Sequence, residues 1–285
     1  MRSASTATYL GVRDGDSARV RLGRALWLGG DVSRGRAWLD HARALGERVA
    51  LECVTGNCVA ALRGMERRLA EDPQLVRVLA AQLARRVGVD AALTAVSGLP
   101  AMARVVAEAE AEAVGGRVDA AVARLEAARA AQPESTAELG LALARLHARF
   151  GSLVRAERLA EGLAASPAAS ADAVSLLARL RVARRARLPE TSARVARALA
   201  EAPDDAGLLA AQGRLFLALG REEDGRSLLS RAAWLDPTDA ATLEHLGDAR
   251  ARAGQGARAA LDYRRADAEL AVLEASGPVS WTPLD

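Results

Sequence analysis

The chain of 285 residues is built largely from three residue types, 68 Ala, 41 Leu and 39 Arg, with no Lys and no Ile. These three lose little side-chain freedom in a helix, whereas the strand formers are absent or scarce. An all-α fold is therefore predicted, and a large sandwich, a barrel or an aromatic-lined cleft is excluded. Formal charge is +3 from 39 basic and 36 acidic residues, weak support for nucleic-acid binding, and the missing Lys removes Schiff-base, phosphate-loop and general-base lysines.

In chain order, residues 1–15 read as an N-terminal extension. Met1 to Leu10 holds Arg2 but no apolar core of signal-peptide length, and no later stretch approaches the roughly 18 uncharged apolar residues of a membrane span. A cytoplasmic location and no membrane partner are expected. Prolines then fall at Pro73, Pro100, Pro133, Pro167, Pro203 and Pro237, at intervals of 27, 33, 34, 36 and 34 residues. Between them the text has one form, a helical stretch, a Gly-containing break and a second stretch ending in small residues. The map is eight helical hairpins, 16–46, 47–72, 73–99, 100–132, 133–166, 167–202, 203–236 and 237–275, in one solenoid, followed by a tail, 276–285. Pro is tolerated in a first helical turn but not inside the preceding helix, so each is expected to open a unit. The last helix, about Gly256 to Ala275, is predicted to be the longest and to form a polar cap.

The clearest unit runs from Ala206 to Asp239, with Leu209, Gln212-Gly213, Phe216, Gly225, Leu229, Ala232 and Pro237 at fixed offsets. The next offers Leu243, Leu246-Gly247, Ala259, Tyr263 and Ala266, and the first offers Leu22-Gly23, Leu26, Gly30, Gly35, Leu39 and Ala42. This text resembles the tetratricopeptide repeat, strongly at both ends and less so between, where Glu108-Ala109 and Ala178-Arg179 replace Leu-Gly and the unit ending at Pro167 slips by a residue. The resemblance implies a right-handed α-α superhelix, a tetratricopeptide-like solenoid whose first helices line a concave face that receives a peptide or helix of another protein.

In that register the outward positions of the first helices are Trp27, Arg145, Arg149, Arg184, Arg187, Arg214, Glu244 and Asp248, the candidate partner-binding groove. Phe216 and Tyr263 are placed in the core, and Trp38 and Trp234 between hairpins. Seven Arg against the single acid Glu190 between Arg179 and Arg197 give a local balance of +6, so the groove is expected to be electropositive at its centre and to take an acidic peptide. Nucleic-acid binding through the same patch is the alternative reading, and a regulatory subunit of an enzyme is a third. Self-association through the tail, with Trp281 as its apolar anchor, is a further expectation.

Catalysis is not expected. His41, His147 and His245 fall in hairpins one, five and eight, where they read as ordinary helix-face residues, and no nucleophile-elbow or zincin text occurs. Cys53 and Cys58 flank a turn-like tetrapeptide. They read as small apolar residues, with a redox-sensitive disulfide or a zinc site with His41 as lesser alternatives. Gly254-Gln255-Gly256 imitates a dinucleotide fingerprint but lacks a preceding strand, so it reads as a turn and no cofactor is expected.

Overall fold

The computed structural model describes residues 30–41, 88–132, 135–166, 169–237 and 239–274, with isolated positions before residue 88 (22, 23, 26, 27, 52, 77, 80, 81 and 83–85). The extension 1–15, most of hairpin 47–72, the Cys53 and Cys58 pair and the tail 276–285 lie outside the described residues. Every regular element among those described is a helix: α1 Val32–His41, α2 Val89–Val96, α3 Ala101–Val114, α4 Val118–Ala131, α5 Thr136–Phe150, α6 Leu153–Ala164, α7 Ala171–Ala183, α8 Leu188–Glu201, α9 Ala206–Ala218, α10 Glu222–Leu235, α11 Ala240–Arg252 and α12 Gly256–Glu274. They divide into two compact units, one reaching Ala111 and one from Glu112 to Ala271. None of these helices is long and apolar enough to cross a membrane.

Local chemistry sets the boundaries. Ser152, Ser170 and Asp205 cap α6, α7 and α9 by accepting hydrogen bonds from the backbone N–H groups of Arg155, Ala173 and Leu208, which would otherwise be orphaned. In three of the pairs, α3–α4, α9–α10 and α11–α12, the chain reverses through a left-handed glycine, Gly116 at φ 83°, Gly220 at φ 79° and Gly254 at φ 73°. The α7–α8 turn differs. It carries Arg185 at φ 49° and Arg187 at φ 50°, a conformation that costs a side-chain-bearing residue energy and is held here by the Arg187 ion pairs described below. Pro203 and Pro237 stand three residues ahead of α9 and α11, in the connecting turn rather than the first helical turn, while Pro100 directly precedes α3.

Within the second unit each helix packs on the next from α4 through α11, and first helices also touch one another, α5 on α7, α7 on α9 and α9 on α11. That nearest-neighbour pattern is the signature of an α-solenoid. Its core is the stripe of each first helix, Leu176, Leu177 and Leu180 on α7 meeting Leu208 and Leu215 on α9 and Val195 on α8. The stripe continues through Leu209, Leu229, Leu243 and Leu246.

Small residues set how closely paired helices cross. A Cβ built on Gly225 of α10 would stand 2.8 Å from the Gly213 carbonyl oxygen and 2.7 Å from Leu217 Cδ2. Gly162 on α6 has nothing within 4 Å of such an atom. Gly225→Ala is therefore expected to destabilise by about 1–3 kcal/mol, because a backbone oxygen cannot step aside. Gly162→Ala should stabilise by about 0.5–1 kcal/mol through helix propensity alone. Chemical denaturation of both variants reads the two opposite signs.

Candidate functional site

The predicted groove residues do not form one solvent-facing row. Trp27 is only 2% exposed. This corrects its outward assignment, and the reason is Gly35, where a Cβ would stand 2.9 Å from the Trp27 Cβ, so the helices close at this point and take in the ring. Arg36 lies over that ring at 5.5 Å. Arg214 is also buried, donating from Nη2 to Thr242 Oγ1 at 3.4 Å with Asp239 Oδ2 at 3.9 Å. Arg145 pairs with Asp172 at 3.0 Å. At the surface remain Arg149, stacked 4.6 Å over Phe150, Asp248, which accepts from the Tyr263 hydroxyl at 2.7 Å, and Arg184 and Arg187, which stand in the α7–α8 turn rather than on a first helix as predicted. Glu244 is half-buried one turn before Asp248 on α11. Phe216 and Tyr263 are likewise half-buried rather than fully in the core, and Trp234, expected between hairpins, is 43% exposed.

The centre is not the unbalanced positive patch that local counting suggests. Arg181 is 0% exposed and donates to Glu157 Oε1 at 3.3 Å, Glu161 Oε1 at 2.6 Å and Thr191 Oγ1 at 3.0 Å. Arg184 also donates to Glu157, and Arg187 pairs with Glu161 at 2.7 Å and Glu190 at 3.0 Å. Two acids of α6, four residues apart on one helix face, thus meet three arginines of the next hairpin.

Arg181 occupies a recurrent position, three residues beyond the small residue of each first helix. Phe216 holds it on α9, with the Arg221 guanidinium 3.8 Å over the ring. Elsewhere a charge replaces the aromatic and is neutralised. Glu112 on α3 accepts two bonds from Arg124, at 2.6 and 3.0 Å. Arg250 on α11 grips Asp262 at 2.6 and 2.8 Å. On α5 the position is His147, 6% exposed, whose imidazole has no hydrogen-bond or ion-pair partner among the described residues.

His147 instead borders a cavity of about 820 Å³ lined from α4, α5 and α6. Leu143 and Leu159 give it an apolar floor, and Arg129, Arg155 and Arg158 surround it, with Glu126 the one acid. None of the three guanidinium groups has a partner among the described residues. Burial and then the Arg155 charge hold the His147 pKa below its ordinary value, opposed by Glu126. This site lies between successive second helices, away from the first-helix positions chosen by register. One signal for it is present in the sequence: Arg155 and Arg158 lie three apart on α6, so the two guanidinium groups share a helix face.

A second polar cluster joins α9 to α11. Burial pushes the Arg214 pKa down to about 10 despite Asp239, and the His245 pKa down to about 4, with Arg214 acting in the same direction. Burial and Asp248 raise Glu244.

No family model and no curated protein matches the sequence. Solved structures do. A tetratricopeptide repeat protein from Parabacteroides merdae superposes with a TM-score of 0.53 at 16% identity, over 82% of this chain and 98% of its own. TTC0263, a thermophilic tetratricopeptide repeat protein of Thermus thermophilus, gives 0.47 at 21% identity, over 56% and 91%. At such identities a likeness is one of fold, and that to the Parabacteroides merdae protein, with the stacked helix pairs above, places this chain among tetratricopeptide-like helical-repeat folds.

Proposed function

We propose that the chain is a non-catalytic scaffold or adaptor that holds a segment of a partner protein. The observation that carries this reading is the repeat stack itself, which spends its hydrophobic residues on neighbouring helices and presents separate charged side chains, Arg149 and Asp248 on first helices and Arg184 and Arg187 in the turn that follows α7. His147 and His245 stand on α5 and α11, with α6 to α10 between them, an arrangement suited to extended recognition rather than to a compact catalytic constellation.

An acidic partner approaching Arg184 and Arg187 has to displace Glu157 and Glu161 from them, so the central patch contributes modestly to affinity and less at high salt. The same compensation weakens the case for nucleic acid there. Photocrosslinking tests the reading: a photoreactive amino acid placed at Arg149 or Asp248 is expected to capture one discrete protein in extracts of the source cell. The same group at Ser227, exposed on a second helix, is expected to capture none. Equal capture at all three positions, or none at any, would reject the scaffold role.

A further inference from the structure

We propose that the cavity between α4, α5 and α6 seats an acidic peptide segment of the partner, with its carboxylates gripped by Arg129, Arg155 and Arg158 and an apolar side chain resting on Leu143 and Leu159. This rests on the scaffold reading and names the chemistry of what is held. Charge complementarity carries it. Elsewhere in the second unit, Arg181, Arg214 and Arg250 meet carboxylates of the chain itself. Around this cavity three guanidinium groups meet none among the described residues, and each offers the planar donor pair that grips a carboxylate in bidentate fashion. The volume, about 820 Å³, holds one large side chain with its flanking backbone. The floor supplies the apolar contact that a purely ionic surface site would lack.

His147 makes the site sensitive to pH and also reports on it. It faces Glu126 and Arg129 from α4 and Arg155 and Arg158 from α6. Carboxylates bound among these arginines cancel part of the field that disfavours imidazolium, so the His147 pKa rises on binding. By linkage, binding then tightens as pH falls.

With only three histidines in the chain, the imidazole resonances are few, and His147→Gln identifies the one that matters. The probe is a pool of capped heptapeptides in which Asp or Glu alternates with apolar residues, titrated into the full chain. Its control is the same pool with Asn and Gln, and inorganic phosphate is the third arm. The acidic pool is expected to shift the His147 resonance saturably and raise its midpoint pH. The combined Arg155→Gln and Arg158→Gln variant should weaken this at least about tenfold while helical content is unchanged, since both side chains are exposed. Three results would overturn the proposal: no saturable shift, an equal shift with the neutral pool, or the full effect from phosphate alone, which would mark a small-anion site. Crosslinking at Arg149 or Asp248 with a silent His147 would leave the scaffold standing without this seat. A responsive His147 with no crosslinked protein would remove the scaffold instead.

Discussion

Replacing Arg181 with alanine is expected to cost the fold about 3–5 kcal/mol, the range for removing one member of a buried ion pair. The guanidinium is wholly enclosed, and three of its donors are satisfied, by Glu157, Glu161 and Thr191. Alanine leaves a void between α6, α7 and α8 and strands Glu157, whose side chain is only 10% exposed. Arg184 still reaches Glu157, which favours the lower end of the range. Two further variants separate charge from packing. Arg181→Met with Glu157→Gln should recover much of the loss, because removing both charges with the volume kept relieves the desolvation cost. Arg187→Ala, at a side chain 54% exposed, should cost about 1 kcal/mol or less. Denaturant midpoints of the four proteins give the comparison, and an Arg181→Ala shift no larger than that of Arg187→Ala would show the network to be incidental to stability.

The same residue shows what the sequence can and cannot announce. Gly213, Phe216, Gly225 and Leu229 recur at offsets set by helix geometry, so the hairpin they build is legible in one dimension. Arg181 stands where the repeat calls for an aromatic, and its partners Glu157 and Glu161 lie 24 and 20 residues upstream, in the preceding hairpin. A charge count over a short window sees seven arginines and misses the acids that neutralise them. Trp27 is hidden for a related reason: helical register gives the direction of a side chain, but the closeness of the crossing at Gly35 decides whether that direction is open. His147 was visible as a lone histidine. Its surroundings emerge only when Arg129 from one hairpin and Arg155 and Arg158 from the next are seen around it.

Acidification should destabilise the chain chiefly through His245. Its imidazole is neutral in the fold, with a pKa pushed down to about 4 against the 6.5 of a free side chain, by burial first and then by Arg214 and Arg252, with Asp248 and Asp239 opposing. A histidine depressed in this way contributes its stability in full above the unfolded value. Below 6.5 the unfolded chain takes up a proton that the folded chain refuses, and stability falls until the folded group also titrates near 4. Across that window the loss approaches about 3 kcal/mol. Glu244, raised by burial and by Asp248, acts in the opposite sense, because its protonation on acidification favours the fold. The difference between wild type and His245→Gln, rather than the wild-type curve alone, therefore isolates the histidine. From pH 7 to pH 4 the unfolding free energy of wild type should fall relative to that of the variant, which is the flatter of the two. Parallel curves across the window would mean that His245 takes up its proton in the fold as readily as in the unfolded chain.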